Sequence, residues 1–244
     1  MFSRKIAKFV QHKKYPFFRP KAIFFDMDGV LFDSMKHHAH AWVQCMKVVG
    51  LEFTLLEAYM NEGRTGRSTI DEMYLKLHGR NATDEEIKYI YGMKSQFFDA
   101  CGKTERMPYA LELIRKIQAQ DIDIFVVTGS GQSSLLDSLD EHFPKVFHKE
   151  KMVTAYDVKI GKPHPEPYLM ALKKSGVNPW EVVVVENAPL GVESGNAAGL
   201  FTIAINTGPL DPKVLSDNGA HIVLDDMKHL YEQWDTFCES WSTK

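Results

Sequence analysis

Short apolar runs alternate with amphipathic segments along most of the chain, and this alternation predicts the fold. Five runs have the length and composition of strands that are buried on both faces, at 22–25, 122–127, 182–185, 201–205 and 221–224. Apolar residues recur at helical spacing between them, at 110–120, 133–139, 166–176 and 190–198. Strands that alternate with helices predict an α/β fold, with a doubly wound, Rossmann-like parallel sheet and crossover helices on both faces.

A wholly helical segment separates the first two predicted strands. Apolar residues at helical spacing predict four helices there, at 35–49, 55–61, 69–77 and 83–98. Thr83 and Glu86 form a capping-box pattern at the start of the last of these helices. Because no strand pattern interrupts the segment, we predict an all-helical cap domain at 35–100. It is inserted into a core domain formed by 21–34 and 101–244.

The first twenty residues differ from the rest of the chain. They contain six basic residues and no acidic ones, namely Arg4, Lys5, Lys8, Lys13, Lys14 and Arg19. A short helix is predicted at 3–11, before Pro16 and Pro20, and the segment lacks the apolar core of a signal peptide. We expect a solvated basic N-terminal extension at 1–20. The alternative is a surface for a membrane or another anionic partner.

Composition narrows the class of protein. The chain has 244 residues, of which 44% are hydrophobic and 25% charged, and these proportions are typical of a globular protein with one sizeable core. The net charge of −3 argues against nucleic-acid binding, and no apolar run reaches the length of a membrane span. Three widely spaced cysteines indicate neither a disulfide framework nor a zinc site. We expect a cytoplasmic monomer.

Two carboxylates follow the first predicted strand at its carboxyl end. Asp26 ends the apolar run, where a carboxylate can act as a nucleophile if a cation screens its approach to an anionic substrate. Asp28 is placed to act as a general acid/base, and Gly29 allows the chain to turn there. An ordinary Asp-rich turn is the alternative. An EF-hand calcium loop does not fit, because Gly29 is fourth from Asp26 rather than sixth.

Polar residues also follow the second and third predicted strands. Thr128 opens a turn at 128–131 whose hydroxyl and backbone N–H groups suit a phosphate oxygen, although most such turns bind nothing. Lys162 could place a positive charge over a transferring group, or it could be a solvated surface amine. Glu186 and Asn187 are either a helix N-cap or oxygen ligands for Mg²⁺. Because parallel sheets bind ligands at the carboxyl ends of their strands, we expect these groups to converge.

The order of these residues resembles the four motifs of the haloacid dehalogenase superfamily of phosphotransferases. The matching residues are, in motif order, Asp26 and Asp28, Thr128, Lys162, and Glu186 with Asn187. The resemblance covers about residues 21–226, and the helical segment matches the cap of these enzymes. The chain is most similar to the β-phosphoglucomutase and sugar-phosphate phosphatase branch, which has similar residues at the spacing of FFDMDGVLFDS, His38, Trp42 and NEGRTGRST.

The resemblance implies phosphoryl transfer in two steps, with Mg²⁺ as the cofactor. Asp26 would attack phosphorus to form an aspartyl-phosphate, and Asp28 would protonate the leaving group and then activate the acceptor. Mg²⁺ would be bound by Asp26, the Asp28 carbonyl, Asn187 and Glu186. Asn187 replaces a charged aspartate, so the ion should bind more weakly. For Asp28 to donate a proton near neutral pH, its pKa should be raised from ~3.9 by about three units.

The resemblance also implies a set of substrate contacts. Gly129 and Ser130 would bind the phosphate of a small phosphorylated metabolite beside Thr128, and Lys162 would neutralise its charge. His38 would orient the acid/base or contact the substrate near the hinge of the cap.

The cap loop bears on which reaction is catalysed. Thr69 stands where the mutase has an arginine that holds a second phosphate, although Arg64 or Arg67 could take its place. Gly131 and Gln132 stand where the mutase has a lysine and an asparagine. We therefore predict hydrolysis of small sugar or polyol phosphates. The alternatives are β-phosphoglucomutase activity and a catalytically impaired binding protein. A dehalogenase would have no use for an acid at position 28.

Overall fold

Six parallel strands form a single sheet at the centre of the protein, in the order β3-β2-β1-β4-β5-β6. The computed structural model describes residues 2–131 and 133–242, and at 133–136 and 242 only the backbone. The strands are β1 (Ala22–Phe25), β2 (Asp123–Val127), β3 (Met152–Val153), β4 (Val182–Glu186), β5 (Phe201–Ile205) and β6 (Ile222–Leu224). The predicted doubly wound parallel sheet is confirmed.

Helices cover both faces of this sheet and form the cap. They are α1 (Phe2–Lys13), α2 (Met35–Val48), α3 (Leu55–Met60), α4 (Gly66–His78), α5 (Asp84–Ala100), α6 (Ala110–Gln118), α7 (Ser133–His142), α8 (Glu166–Ser175), α9 (Pro189–Ala197), α10 (Pro212–Asp217) and α11 (Met227–Ser242).

Alternate residues of the central strand β1 enter different apolar clusters. Ile23 belongs to a cluster that includes Leu113 of α6 and Trp234 of α11. Phe24 belongs to the cluster on the other face, which includes Tyr168 of α8. Side chains alternate across a strand, so a strand covered by helices on both faces needs an unbroken apolar run. This requirement explains why β1 and the four valines of β4 were recognisable in the sequence.

Three of these strands and helices were absent from the sequence prediction: β3, α10 and α11. Strand β3 lies between the predicted helices at 133–139 and 166–176, and its two residues pair with Val126 and Val127 at the edge of the sheet. A strand this short carries no detectable period. Helix α11 follows the last strand and buries Trp234 and Phe237 in the core.

The cap is wholly helical, as predicted. Helices α2 to α5 share an apolar cluster of their own, which includes Met46, Ile70, Met73 and Ile90. The capping box predicted at Thr83 is present at the start of α5. The cap therefore has its own core and can lie over the sheet as a unit.

The N-terminal segment is not the solvated extension that we expected. Helix α1 buries Phe2, Ile6 and Phe9, which recur at helical spacing and join the main core cluster. The ring of Phe9 packs edge-on against Phe201 of β5 at a centroid distance of 5.3 Å. Only the basic face of the helix, with Lys8, is exposed. Among the described residues, no helix has the length and apolarity needed to cross a membrane.

Candidate active site

A small cavity lies between the carboxyl end of the sheet and the cap. Its volume is about 50 Å³. Asp26, Asp28 and Thr128 line it from the core, and the cap contributes a larger set that includes His38, Trp42, Glu62, Arg64, Tyr91 and Lys94. The carboxyl ends of β1 and β2 therefore meet at one cavity.

Asp26 and Lys162 form a buried ion pair at the end of β1. The Lys162 Nζ donates to Asp26 Oδ1 at 2.5 Å and to the Val127 carbonyl at 2.9 Å, and the exposed fractions of the two residues are 3% and 1%. Burial raises the pKa of Asp26 above its ordinary value, and Lys162 opposes that rise. Burial lowers the pKa of Lys162, but Asp26 and Glu186 more than compensate and raise it. The lysine is therefore a permanent cation beside the candidate nucleophile.

Glu186 is held from several directions. Its Oε1 accepts hydrogen bonds from Lys162 Nζ and from the Tyr168 hydroxyl, both at 2.7 Å. Its Oε2 accepts from the backbone N–H of Asn187 at 3.0 Å. The carboxylate has room only because residue 191 is glycine: a Cβ on Gly191 would lie 1.8 Å from Oε1. Glu186, predicted as a metal ligand, thus has donors on both oxygens and fixes Lys162 in place.

Asp28 ends a chain of hydrogen bonds that runs into the cap. Asp28 Oδ1 accepts from Ser34 Oγ at 2.6 Å and lies 2.9 Å from His38 Nε2. The Nδ1 of His38 lies 2.7 Å from the Lys94 ammonium. An ammonium group can only donate, so Nδ1 must accept and Nε2–H must donate to Asp28.

This chain corrects the expected pKa of Asp28. Burial alone would raise the pKa, but the interaction with the His38 ring and its hydrogen bond, the hydroxyl of Ser34 and the charge of Lys94 lower it below the ordinary value. We had expected a raised pKa from a dry, capped cavity. That expectation considered burial and omitted the donors, whose stabilisation of the carboxylate is larger here.

Lys94 was not identified from the sequence. It is 2% exposed and its ammonium lies 5.0 Å from the ring centroid of Phe98. Burial lowers its pKa to about 8. A signal was available: Ile87, Ile90, Lys94 and Phe98 follow helical spacing on the buried face of α5. A lysine at a core position of a helix needs a buried polar partner.

A second cap residue, Glu62, was also missed, and it bears on the metal site. The Asn187 side chain donates from Nδ2 to Glu62 Oε1 at 2.9 Å. The other amide atom, Asn187 Oδ1, is buried and has no hydrogen-bond partner among the described residues. Burial, and then the charge of Asp26, raise the pKa of Glu62 well above its ordinary value. A buried amide oxygen without a partner and several carboxylates close together are both unfavourable, and a hard cation bound between them would stabilise both.

The donor set therefore fits Mg²⁺. The groups that could hold it are Asp26, the Asp28 carbonyl, Asn187 Oδ1 and Glu62, all of them oxygen donors. In the part of the chain that the structure describes, no three His, Cys, Asp or Glu side chains form a metal cluster by themselves. An ion here would thus depend on the amide oxygen of Asn187 and on a carboxylate from the cap.

The turn at 128–131, which we predicted to bind a phosphate, lies against the cap. Thr128 is buried and its Oγ1 accepts the backbone N–H of Ser130 at 2.9 Å. Gly129 lies directly beneath the cap: a Cβ there would be 2.1 Å from the carbonyl oxygen of Gly63. A side chain at position 129 would separate the two domains.

The two candidate arginines are occupied elsewhere. Arg64 lines the cavity, but its guanidinium pairs with Glu72 at 2.7 Å and donates from Nε to Asn61. Arg67 does not line the cavity; it pairs with Asp84 at 2.6 Å on the exposed side of the cap. The prediction that Arg67 contacts substrate is not supported by its position. Gln132, considered above, lies outside the described residues.

Fold and site together define a phosphoryl-transfer class of enzyme, and sequence comparison agrees. The family model described as "Haloacid dehalogenase-like hydrolase" matches residues 23–205. The chain belongs to this family of enzymes.

Several similar proteins carry the names of phosphatases or of a mutase. A Bacteroides vulgatus structure named "Putative beta-phosphoglucomutase" is 50% identical, with a TM-score of 0.96 over 99% of this chain and 98% of that one. Hexitol phosphatase A of Escherichia coli is 30% identical over 87% of this chain and 94% of its own length. The phosphorylated carbohydrates phosphatase of Thermotoga maritima is 29% identical over 82% and 92%.

Proposed function

We propose that the protein is a Mg²⁺-dependent phosphatase that hydrolyses small sugar or polyol phosphates through an aspartyl-phosphate on Asp26. The observation that carries the proposal is that Asp26, which lines the cavity together with Asp28, is paired with the buried Lys162. A carboxylate nucleophile, a fixed cation and a second carboxylate at one strand end are the groups that phosphoryl transfer needs.

The side chains divide the reaction between them. Asp26 attacks phosphorus, while Lys162 and the turn at Thr128 stabilise the charge of the transferring group. Asp28 gives a proton to the leaving oxygen and later takes one from the attacking water. His38 and Lys94 hold Asp28 in orientation through the hydrogen bonds described above. Bound Mg²⁺ would neutralise charge between the nucleophile and the phosphate.

The low pKa of Asp28 must change before it can act as an acid. In the closed cavity the carboxylate is stabilised by donors from Ser34 and His38. An anionic substrate placed beside it would favour the protonated form, because like charges raise the pKa of a carboxyl group.

The cap supports a phosphatase rather than a mutase. A mutase must hold a second phosphate, and Arg64, the arginine nearest that place, is paired with Glu72 and Asn61. Thr69 lines the cavity at the position of the mutase arginine and carries no charge.

The size of the cavity limits the leaving group. Its volume of about 50 Å³ is room for roughly three to five waters, whereas pockets for drug-sized ligands are several hundred Å³. With the cap closed, a compact leaving group fits best. The buried Lys94 cation at the same cavity favours, as a second candidate, a leaving group that is itself anionic, such as the second phosphate of inorganic pyrophosphate.

The test is phosphate release from a graded panel with and without Mg²⁺. The panel runs from pyrophosphate and glycerol phosphate to the larger hexose phosphates. Each substrate is tested with the parent protein, Asp26→Asn and Asp28→Asn. We expect Mg²⁺-dependent release that both substitutions reduce at least ~10³-fold, and rates that fall with leaving-group size. Conversion of β-glucose 1-phosphate in the presence of its bisphosphate, faster than phosphate release, would instead establish a mutase. Release unaffected by Asp26→Asn would refute the proposed nucleophile.

A further inference from the structure

Tyr168 lies behind the site and does not line the cavity. Its side chain is fully buried on α8, and its hydroxyl donates to Glu186 Oε1 at 2.7 Å. The same oxygen accepts from Lys162 at 2.7 Å, and the lysine ammonium lies 5.2 Å from the centroid of the tyrosine ring. Tyrosine and lysine therefore meet at one carboxylate oxygen.

Packing alone does not explain a tyrosine at this position. The ring lies in an apolar cluster with Phe24 and Ala171, which a phenylalanine would fill equally well. A buried hydroxyl is unfavourable unless it has a partner, and the partner here is Glu186. The hydroxyl is thus explained by its effect on this carboxylate.

That effect reaches Lys162 because the lysine is shared. Its ammonium lies between Glu186 and Asp26, at 2.7 Å from one carboxylate and 2.5 Å from the other. The tyrosine occupies one acceptor position on Glu186 Oε1 and withdraws part of its negative charge. Without it, the ammonium would be drawn toward Glu186 and away from the nucleophile and the incoming phosphate.

We propose that Tyr168 is a positioning residue, which acts through Glu186 to keep the Lys162 ammonium directed at Asp26 and the transferring phosphoryl group. For its kinetic consequences this inference rests on the proposed function, but its geometric consequence does not. The proposed role of Tyr168 is to help stabilise the charge of the transferring phosphoryl group. It does not involve the hydrogen bonds from Asp28 to His38 and Lys94.

Tyr168→Phe removes the hydroxyl and keeps the ring. We expect kcat to fall roughly tenfold with KM within about twofold, as for loss of one hydrogen bond to a charged group. The inhibition constant of orthovanadate, which adopts the geometry of the transferring group, should rise by the same factor, while that of inorganic phosphate should not change. A loss of folded protein would lower kcat but would leave both inhibition constants unaltered.

Two further variants test whether the effect of Tyr168→Phe on kcat is transmitted through Glu186. Tyr15→Phe is the matched control, because it also loses a hydroxyl bond, to the Gly199 carbonyl at 3.1 Å, far from the site; it should keep parental kinetics. In a Glu186→Gln background, Tyr168→Phe should have no further effect beyond about twofold, since the tyrosine acts through that carboxylate.

Crystal structures provide a readout that does not depend on activity. In Tyr168→Phe the distance from Lys162 Nζ to Asp26 should lengthen beyond ~3.5 Å, the limit of a hydrogen bond, while the contact with Glu186 remains. An unchanged Lys162–Asp26 pair, or a parental vanadate constant in an active enzyme, would overturn the inference. If the parent protein releases no phosphate from any substrate, the proposed function fails, and the crystal structures still decide the role of Tyr168.

Discussion

The two ends of the central sheet differ in what their side chains do. At the amino end, helix α1 and the segment after it cover the strands with aromatic rings: Phe9 packs against Phe201 and against His221, and Phe18 packs against Phe201. At the carboxyl end, the buried side chains are ionisable, and they are held by hydrogen bonds rather than by apolar packing.

The difference indicates that the amino end of the sheet contributes mainly to stability, whereas the carboxyl end forms the candidate site. Burial of aromatic surface favours folding at about 25 cal/mol per Å². Burial of charge does not, because desolvation offsets the attraction within each pair. Substitutions at the amino end should therefore change the free energy of unfolding and leave catalysis intact, and substitutions at the carboxyl end should do the reverse. The following predictions test this contrast.

Phe9→Ala should have the largest effect, at the amino end. Removing a buried aromatic ring should lower the free energy of unfolding by about 3–5 kcal/mol, measured by urea denaturation. Phe17→Ala is the control, because Phe17 belongs to the same segment but is 49% exposed; its effect should be below about 1 kcal/mol. If the folded fraction of Phe9→Ala had a changed kcat, the two ends would not be independent.

Gly191→Ala should have the second-largest effect, and this effect should be on catalysis rather than on stability. The new methyl group would lie 1.8 Å from Glu186 Oε1 and would displace the carboxylate that holds Lys162. We expect kcat/KM to fall by roughly 10²–10³-fold, with thermal stability near that of the parent. Gly92→Ala, on an exposed position of α5 with nothing within 4 Å, is the control and should keep parental activity. Equal activity in both variants would show that Glu186 is not sterically confined.

His221 should make the amino end sensitive to acid. Burial lowers the pKa of His221 from 6.5 to about 4, so the folded state requires the neutral ring. The stabilisation is complete above pH 6.5 and is lost as the pH falls from 6.5 to about 4, by up to about 3 kcal/mol at about 1.4 kcal/mol per unit. His221→Asn keeps an acceptor but does not titrate. Its free energy of unfolding should fall less steeply over this range, and parallel curves would contradict the assignment.

Glu62→Gln should give the smallest effect, at the carboxyl end. If Glu62 supplies the charge that Asn187 lacks, the substitution should weaken Mg²⁺ binding by about 10–100-fold, as measured by titration calorimetry. Glu72→Gln removes a carboxylate from the same cap, where it pairs with Arg64, and should leave Mg²⁺ affinity unchanged. Asn187→Asp should strengthen binding. Unaltered affinity in Glu62→Gln would exclude a ligand from the cap.

The core half of the site could be predicted because its signals are local. Asp26, Thr128 and Glu186 each mark the point where an apolar strand ends, and a parallel sheet brings such points together. Lys162 was identified through the family resemblance, because it lies in a loop far from Asp26 in the sequence.

The cap half could not be predicted in the same way. Glu62 and Lys94 reach the cavity through the packing of the cap on the core, which no local pattern reports. The error about Asp28 has the same origin, since its pKa depends on His38 and Lys94. At the N-terminus, six positive charges outweighed the apolar spacing of Phe2, Ile6 and Phe9 in our interpretation, although the spacing decided the structure.

The close contact between the Gly63 carbonyl of the cap and Gly129 of the core has a consequence for the rate of turnover. Backbone meets backbone there, so no side chain can bend aside to admit a molecule. While this contact is kept, the cavity beneath the cap, with a volume of about 50 Å³, can hold only a small molecule. A substrate larger than this cavity would require the cap to move away from the core, and the frequency of that movement would then limit the rate of turnover.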